Sequence, residues 1–299
     1  MPTFFEDRPT LAKRLVKPLL VKPGSKVKLP AGFDPAYKAS FVKKSDADDT
    51  LQDGIRLLAE YQDRLAAQRT FGLLVVLQGL DASGKDGVVK HVMSGVNPQG
   101  VEVHSFKVPT DGELHHDYLW RYQLELPERG QITIFNRSHY EEVLVVRVHP
   151  ENLQRQNLPS EAADENVWNR RFREINDWER YLVANGIRVV KLFLHMSKEE
   201  QRKRLLARIN DPEKNWKYSA DDALERRFWD DYQAAYSDAL SNTSTAWAPW
   251  YVIPADHKWF AHLAVAGVLV ERLMEIDPQY PKLSDEQKKE LERAKLELG

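Results

Sequence analysis

Short apolar runs alternate with longer stretches of helical periodicity along most of the chain. Five consecutive apolar residues, Leu73 to Leu77, head a strand predicted over 72–78, and further strands are expected at 101–108, 131–136, 187–194 and 250–254. Between them apolar residues recur every three or four positions, which predicts helices over 85–95, 113–123, 138–148, 163–184, 197–210, 221–240 and 256–275. Another helix is expected just ahead of the first strand, where Leu51, Ile55, Leu58 and Leu65 keep helical spacing and Asp46, Asp48 and Asp49 suit the positive end of its dipole. Strands joined by helix-length connections call for a parallel sheet with helices on both faces, so the expected fold class is α/β. In such sheets active sites sit at the carboxyl ends of the strands, and segments 79–87, 109–111, 136–141 and 254–258 each follow one.

The flanks break this rhythm. Pro2, Pro9, Pro18, Pro23, Pro30 and Pro35 interrupt residues 1–45, which read as an arm lying over the domain. From Arg8 onward its cations Arg8, Lys13, Arg14, Lys17, Lys22, Lys26 and Lys28 come with no carboxylate until Asp34; they form a solvated face or add lining to a polyanion groove. Residues 46–280 carry no repeat or linker and are taken as one domain. Residues 281–299, rich in Glu and Lys, read as a charged helix, exposed or in contact with another copy in a homo-oligomer, a dimer or tetramer. Over 299 residues, 42% hydrophobic composition suffices for a substantial core, while a net charge of −2 gives no overall attraction to nucleic acid. Zero cysteines exclude disulfides, thiolate zinc sites and a thiol nucleophile. With no secretion-signal order at the N-terminus and no run of roughly 18 apolar residues, a cytoplasmic protein without a membrane or nucleic-acid partner is expected.

The chemistry begins at Gly79-Leu-Asp-Ala-Ser-Gly-Lys-Asp-Gly87. Gly79, four spacers, Gly84 and Lys85 form the skeleton of a phosphate-binding loop, in which backbone N–H groups around Ala82, Ser83 and Gly84 converge on an anion, the next helix adds its dipole and Lys85 a mobile charge; Gly87 lies one turn on. Where the usual loop has a hydroxyl after the lysine, this chain has Asp86. Two carboxylates, Asp81 and Asp86, would repel an anionic ligand unless a divalent cation lies between, and oxygen-only ligands suit Mg²⁺ or Mn²⁺; capping of the helix start is the alternative role. The strand over 131–136 should lie beside the loop strand and ends at Asn136. Arg137 then offers a planar charged fork for a phosphoryl group in transfer, and Glu141 a further metal ligand or an ordinary helix partner for Arg137. Lys107 and Arg121 add positive charge at other strand and helix ends. The basic stretch 201–217 resembles the lid of a nucleoside monophosphate kinase, with Arg204 and Arg208 one turn apart as its phosphate-facing residues and Arg202 and Lys203 on the solvated face. His115, His116 and His139 have no zinc-type spacing and read as polar or packing residues.

Together, 79–87, Phe135-Asn-Arg-Ser-His-Tyr-Glu141, Lys107-Val-Pro-Thr, Tyr118-Leu-Trp-Arg and Ala248-Pro-Trp-Tyr-Val-Ile-Pro254 resemble the polyphosphate kinase 2 family over roughly residues 45–280. The resemblance implies a P-loop kinase fold similar to thymidylate kinase, three α/β/α layers around a five-stranded parallel sheet with a helical lid over about 201–222. It implies Mg²⁺-dependent, reversible phosphoryl transfer between inorganic polyphosphate and nucleotides. The family's loop residues fall on Asp81, Lys85 and Asp86, its second-motif residues on Arg137 and Glu141, and its lid arginine on Arg208 or Arg204. Asn136, where many members have aspartate, resembles the subgroup acting on both AMP and ADP to give ATP. An ATP-dependent nucleoside or nucleotide kinase and a catalytically silent polyanion or nucleotide sensor are the rival readings.

Overall fold

Five strands, β1 (Gly72–Gln78), β2 (Val101–Ser105), β3 (Ile132–Asn136), β4 (Ile187–His195) and β5 (Trp250–Pro254), form one sheet in the order β2-β3-β1-β4-β5, every pairing parallel. The computed structural model describes residues 12–41, 43–217 and 219–298; Arg8 of the arm and Tyr218 of the lid lie outside them, as do the side chains of Lys13, Asp46 and Lys217. The principal helices are α1 (Asp48–Gln68), α2 (Lys85–Val92), α3 (Val167–Ala184), α4 (Lys198–Asn210), α5 (Trp229–Thr243), α6 (Lys258–Ile276) and α7 (Asp285–Leu298).

The apolar run of β1 is buried on both faces, and the alternation of side chains divides it between two cores. Leu73, Val75 and Leu77 pack with α1, α2 and α6, whereas Leu74 and Val76 pack with α3 and α5. The result is the three-layer P-loop kinase arrangement. Helix α6 is apolar on nearly all sides, Phe260, Leu263, Val268 and Leu273 among its buried residues, because the sheet, α1 and the turn Ala12–Val16 enclose it. The arm covers the free edge of β5: Leu20 bridges Tyr251 in antiparallel sense and the Val21 amide donates to the Trp250 carbonyl at 2.9 Å. Helix α7 buries none of its residues and is exposed at all but Ala294.

Several expected helices are broken where side chains compete with the ladder. The 138–148 stretch is a 3₁₀ turn, His139–Val143, then a separate α turn, Val145–Val148. Tyr140 and Val143, both fully buried, are three residues apart, the 3₁₀ repeat. The 113–123 stretch splits into Asp111–Leu114, opened by a Thr110–Glu113 capping box, and Trp120–Gln123, because the Asp117 carboxylate accepts from the Leu119 amide at 3.0 Å and makes a turn between them. Strand β2 stops at Ser105 instead of 108, where the chain bends toward Pro109, and the 221–240 helix is interrupted by the 3₁₀ turn Arg226–Phe228. These breaks lie at the carboxyl end of the sheet, where irregular backbone aims side chains inward.

Candidate active site

The loop after β1 is shaped by close approach. A Cβ at Gly79 would lie 2.7 Å from Ser83 Oγ and 3.1 Å from Leu194, and Gly84, at φ +105°, opens α2 in a conformation glycine adopts freely. The buried Ser83 hydroxyl, packed beside Gly79, has no hydrogen-bond partner among the described residues. Gly87 is less constrained, since a Cβ there would be 3.6 Å from His262 Nε2. Lys85 Nζ folds back to donate to the carbonyls of Gly79 at 2.5 Å and Leu80 at 3.4 Å. Burial, then the nearby Arg137 charge, lowers the Lys85 ammonium to about 8 against the opposing pull of Asp81, Glu141 and Asp86. At neutral pH the group still carries its proton, and an incoming phosphate would raise it again.

The end of β3 stands directly beside the loop, because Leu77 of β1 pairs with Asn136. Asn136 Nδ2 donates to Asp86 Oδ1 at 2.9 Å, so the amide, unlike an aspartate, adds no like charge there. Arg137 takes left-handed backbone, φ +64°, and its amide donates to the Leu77 carbonyl at 3.1 Å. Its guanidinium bridges Asp81 Oδ1 at 2.6 Å and Glu141 Oε2 at 3.2 Å. Glu141, with Asp81, outweighs burial and raises the guanidinium further above its ordinary value. Sequence reading brought Asp81, Arg137 and Glu141 to one place, and they meet in one ion-pair chain.

Beneath this turn lies a network that sequence reading missed. Lys191 Nζ, fully buried, donates to Glu179 Oε2 at 2.6 Å, Tyr140 Oη at 2.9 Å and the Thr243 carbonyl at 2.6 Å, while Tyr140 donates to Glu179 Oε1 at 2.9 Å. Burial works to raise the Glu179 carboxyl, but Lys191 and the adjacent His139 outweigh it and hold the group below the ordinary carboxylate range. The available signal was a lysine inside the otherwise apolar run Val189–Leu194.

Across the loop opens a groove of about 1120 Å³. Lys107 lines one side; Lys203, Arg208, Lys214 and Lys258 line the other, together with His91 and His262. None of the described arm cations, Arg14, Lys17, Lys22, Lys26 or Lys28, is among its lining residues. Arg208 faces the groove, and so does Lys203, which the periodicity placed on the solvated side. Arg204 does something else. Its Nε donates to Glu200 at 2.8 Å, Nη1 to the carbonyls of Ala82 at 3.2 Å and Ser83 at 3.0 Å, and Nη2 to those of Ala255 at 2.5 Å and Asp256 at 3.2 Å. With the five N–H groups so engaged, Arg204 ties the phosphate loop to α4 and to the end of β5. Gln201, unforeseen, adds a 3.0 Å bond from Nε2 to the Asp81 carbonyl.

A second cavity, about 320 Å³, adjoins the groove behind Arg137 and is lined by Phe106, Val108, Pro109, Glu141, Arg155 and Gln156. Arg121 shapes it: Nη1 donates to the Lys107 carbonyl at 3.1 Å and the guanidinium stacks 5.2 Å over Phe106, fixing the segment that carries Lys107. Arg155 had no motif to mark it. Phe106, Lys107 and Arg137 line both spaces.

Among the described residues no three His, Asp or Glu side chains cluster as a ready-made metal cage. The carboxylates instead rest on Arg137 and Asn136, and the buried Asn136 Oδ1 has no partner beside them. That hard-oxygen set fits a Mg²⁺ shared with phosphate oxygens, which takes only one or two carboxylates from the protein. His116 stacks on Trp120 at 3.9 Å, and His139 is buried with Nε2 3.5 Å from Glu179. No helix among the described residues is long and apolar enough to cross a membrane.

Residues 41–281 match the polyphosphate kinase 2 family. The chain is 47% identical over 286 residues to an ADP-polyphosphate phosphotransferase of Rhodopseudomonas palustris, covering 94% of this chain and 98% of that protein. It is likewise 47% identical over 250 residues to an AMP/ADP-polyphosphate phosphotransferase of Meiothermus ruber, covering 83% and 90%. Its fold is similar to the crystal structure of polyphosphate kinase 2 from Arthrobacter aurescens, with a TM-score of 0.81 and 39% identity over 94% of this chain and 98% of that one. A match spanning most of the sequence, with a phosphate loop and a second motif joined through Arg137, places the protein in the polyphosphate kinase 2 family.

Proposed function

We propose that the protein transfers phosphoryl groups reversibly between inorganic polyphosphate and the adenine nucleotides AMP and ADP, forming ADP and ATP. The observation that carries this reading is the convergence of two separate spaces on Arg137, Lys107 and Phe106. The larger has eight lysines and arginines against four carboxylates in its lining, more positive charge than one nucleotide needs and suited to a chain of phosphates. The smaller combines an aromatic and apolar wall with Arg121 and Arg155, suited to a nucleotide. The Meiothermus ruber relative, named for both AMP and ADP, supports the choice of acceptors.

In this reading a phosphate oxygen of the nucleotide attacks the terminal phosphorus of polyphosphate in line. The new P–O bond forms as the bridging P–O bond breaks, and the electron pair stays on the shortened chain. The attacking oxygen is already ionised, so no side chain need remove a proton. Lys85 leaves the loop carbonyls for a phosphate oxygen, the loop N–H groups of Ala82, Ser83 and Gly84 hold the donor end, and Arg137 meets the charge spread over the transferring group. Asp81 and Glu141 orient that guanidinium; Arg208 closes from α4, and Arg204 keeps the loop in shape. Mg²⁺, or Mn²⁺ in its place, would be held by Asp81, Asp86 or Glu141 and would offset the charge shared by donor and acceptor. A cytoplasmic homo-oligomer completes the proposal, with the exposed Leu291, Leu296 and Leu298 of α7 available to another copy.

Purified protein with Mg²⁺, long-chain polyphosphate and AMP or ADP should yield ATP in a luciferase-coupled assay. No product from either acceptor would exclude this activity. Phosphorylation of nucleotides from ATP alone would favour the ATP-dependent kinase, and binding without turnover the sensor.

A further inference from the structure

The two edges of the sheet are treated differently. The arm covers β5, whereas β2 lies at the opposite edge with β3 on one side only. The Phe106 amide donates to the Asn136 carbonyl at 3.2 Å, which fixes the alternation along the parallel ladder: Glu102 and His104 turn their backbone groups toward β3, and Val101, Val103 and Ser105 turn theirs outward. The Val101 amide returns to the Pro98 carbonyl. The amide and carbonyl of Val103, the Ser105 amide and the Val101 carbonyl have no hydrogen-bond partner among the described residues. No proline or bulge blunts this edge, and Val103 is 44% exposed on it. Leu124, 61% exposed, belongs to the same border, since the next residue, Glu125, holds His104 Nδ1 at 3.0 Å. The side chains are self-complementary in one register. If two copies of β2 pair antiparallel about a two-fold axis, outward backbone groups meet with the axis at Glu102, Val103 or His104. The first sets Glu102 against Glu102 and the last His104 against His104, whereas the axis at Val103 sets Glu102 of each copy against His104 of the other. The facing Cα atoms would be about 4.5 Å apart, nearer than the roughly 6.6 Å between residues two apart on one strand, where Glu102 and His104 already meet at 3.4 Å.

We propose that the β2 edge is the docking surface for a second copy of this chain, pairing antiparallel about Val103 and joining the two five-stranded sheets into one. Val103 exchanges two hydrogen bonds with Val103 of the other copy, and each Ser105 amide donates to the opposite Val101 carbonyl, so groups otherwise left to water are paired. The exposed valines pack on each other at the axis, and Leu124 flanks the seam. Because the two β2 strands run in opposite directions, the active-site grooves open at opposite ends of the joined sheet and neither blocks the other. The pairing rests on the homo-oligomer proposed above and gives it a face apart from the exposed leucines of α7; it is independent of which donor and acceptor the enzyme uses.

The test is a charge swap on the full-length protein, read by light scattering after gel filtration. Glu102→Lys removes both Glu–His pairs of the seam, and His104→Glu removes them and sets carboxylates against each other. Each variant alone should halve the wild-type mass or weaken association roughly tenfold. Mixed in equal amounts, the two should regain the wild-type mass, because the introduced lysine then faces the introduced glutamate while the remaining histidine faces the remaining glutamate. Val103→Pro removes the amide on the axis without touching a bond to β3, and should likewise weaken association roughly tenfold. Circular dichroism establishes that each variant folds. Single variants that keep the wild-type mass, or a mixture that stays dissociated, overturn the β2 pairing while leaving a homo-oligomer intact. A monomeric wild-type protein overturns both.

Discussion

The two walls of the groove are built on opposite principles. On the strand-end wall Arg137 and the carboxylates already have partners of fixed geometry: Arg137 holds Asp81 and Glu141, Asn136 holds Asp86, and the buried Lys191–Glu179–Tyr140 network braces the turn between them from below. On the lid wall the cations ride a helix face in contact with solvent, Lys203 exposed and Arg208 half-buried. Preorganised charges stabilise a transition state more than a ground state, whereas mobile surface charges mainly attract and retain a polyanion. Under the proposed function, the contrast places chemistry chiefly on the strand-end wall and capture chiefly on the lid.

The sharpest way to break that division is Arg137→Lys. A lysine keeps the charge but cannot bridge Asp81 and Glu141 and still present a planar fork to the phosphoryl group. Steady-state kinetics should show kcat reduced roughly 10²- to 10³-fold with the polyphosphate KM little changed. A loss confined to KM would mean that Arg137 belongs with the capturing charges.

The brace beneath it should fail through stability. Lys191→Met leaves the fully buried Glu179 carboxylate without its ammonium partner, an expected cost of about 3–5 kcal/mol in urea unfolding. Pairing it with Glu179→Gln should recover much of that loss, because the uncompensated charge goes with it. If the single and double variants were equally destabilised, the network would contribute through packing alone.

How much of this was legible in the chain depended on whether the signal was local. The strands were visible because β1, β4 and β5 are buried on both faces and so carry near-continuous apolar runs. Asp81, Lys85, Asp86, Arg137 and Glu141 were visible because loop geometry ties function to spacing. Arg204 and Arg208 show the limit: one turn apart on α4 they look alike in sequence and both line the groove, yet the Arg204 guanidinium is spent on loop and β5-end carbonyls, a difference set by how α4 docks on the loop and β5. Lys258, Arg155 and the His91–His262 stack were hidden for the same reason, since residues 171 positions apart become neighbours only when α2 and α6 pack. The broken helix at 138–148 was misread because tertiary burial of Tyr140 and Val143 overrode a periodicity that also suits an α-helix.

The lid wall offers the smaller effects and the finest test of the comparison. Arg208→Gln should lower kcat roughly tenfold, because a half-buried arginine closing on the donor contributes to both capture and transfer. Lys203→Gln, on the exposed part of the same helix, should raise the polyphosphate KM only about threefold and leave kcat alone. Salt separates the walls further. The Lys203→Gln defect should fade as ionic strength rises past about 0.5 M, where screening already removes what the wild-type lysine contributes, while the Arg137→Lys defect persists. If Lys203→Gln instead cut kcat at every salt concentration, the whole lid wall would have to be counted as part of the transition-state machinery, and the line between capture and chemistry that runs along α4 between Arg208 and Lys203 would disappear.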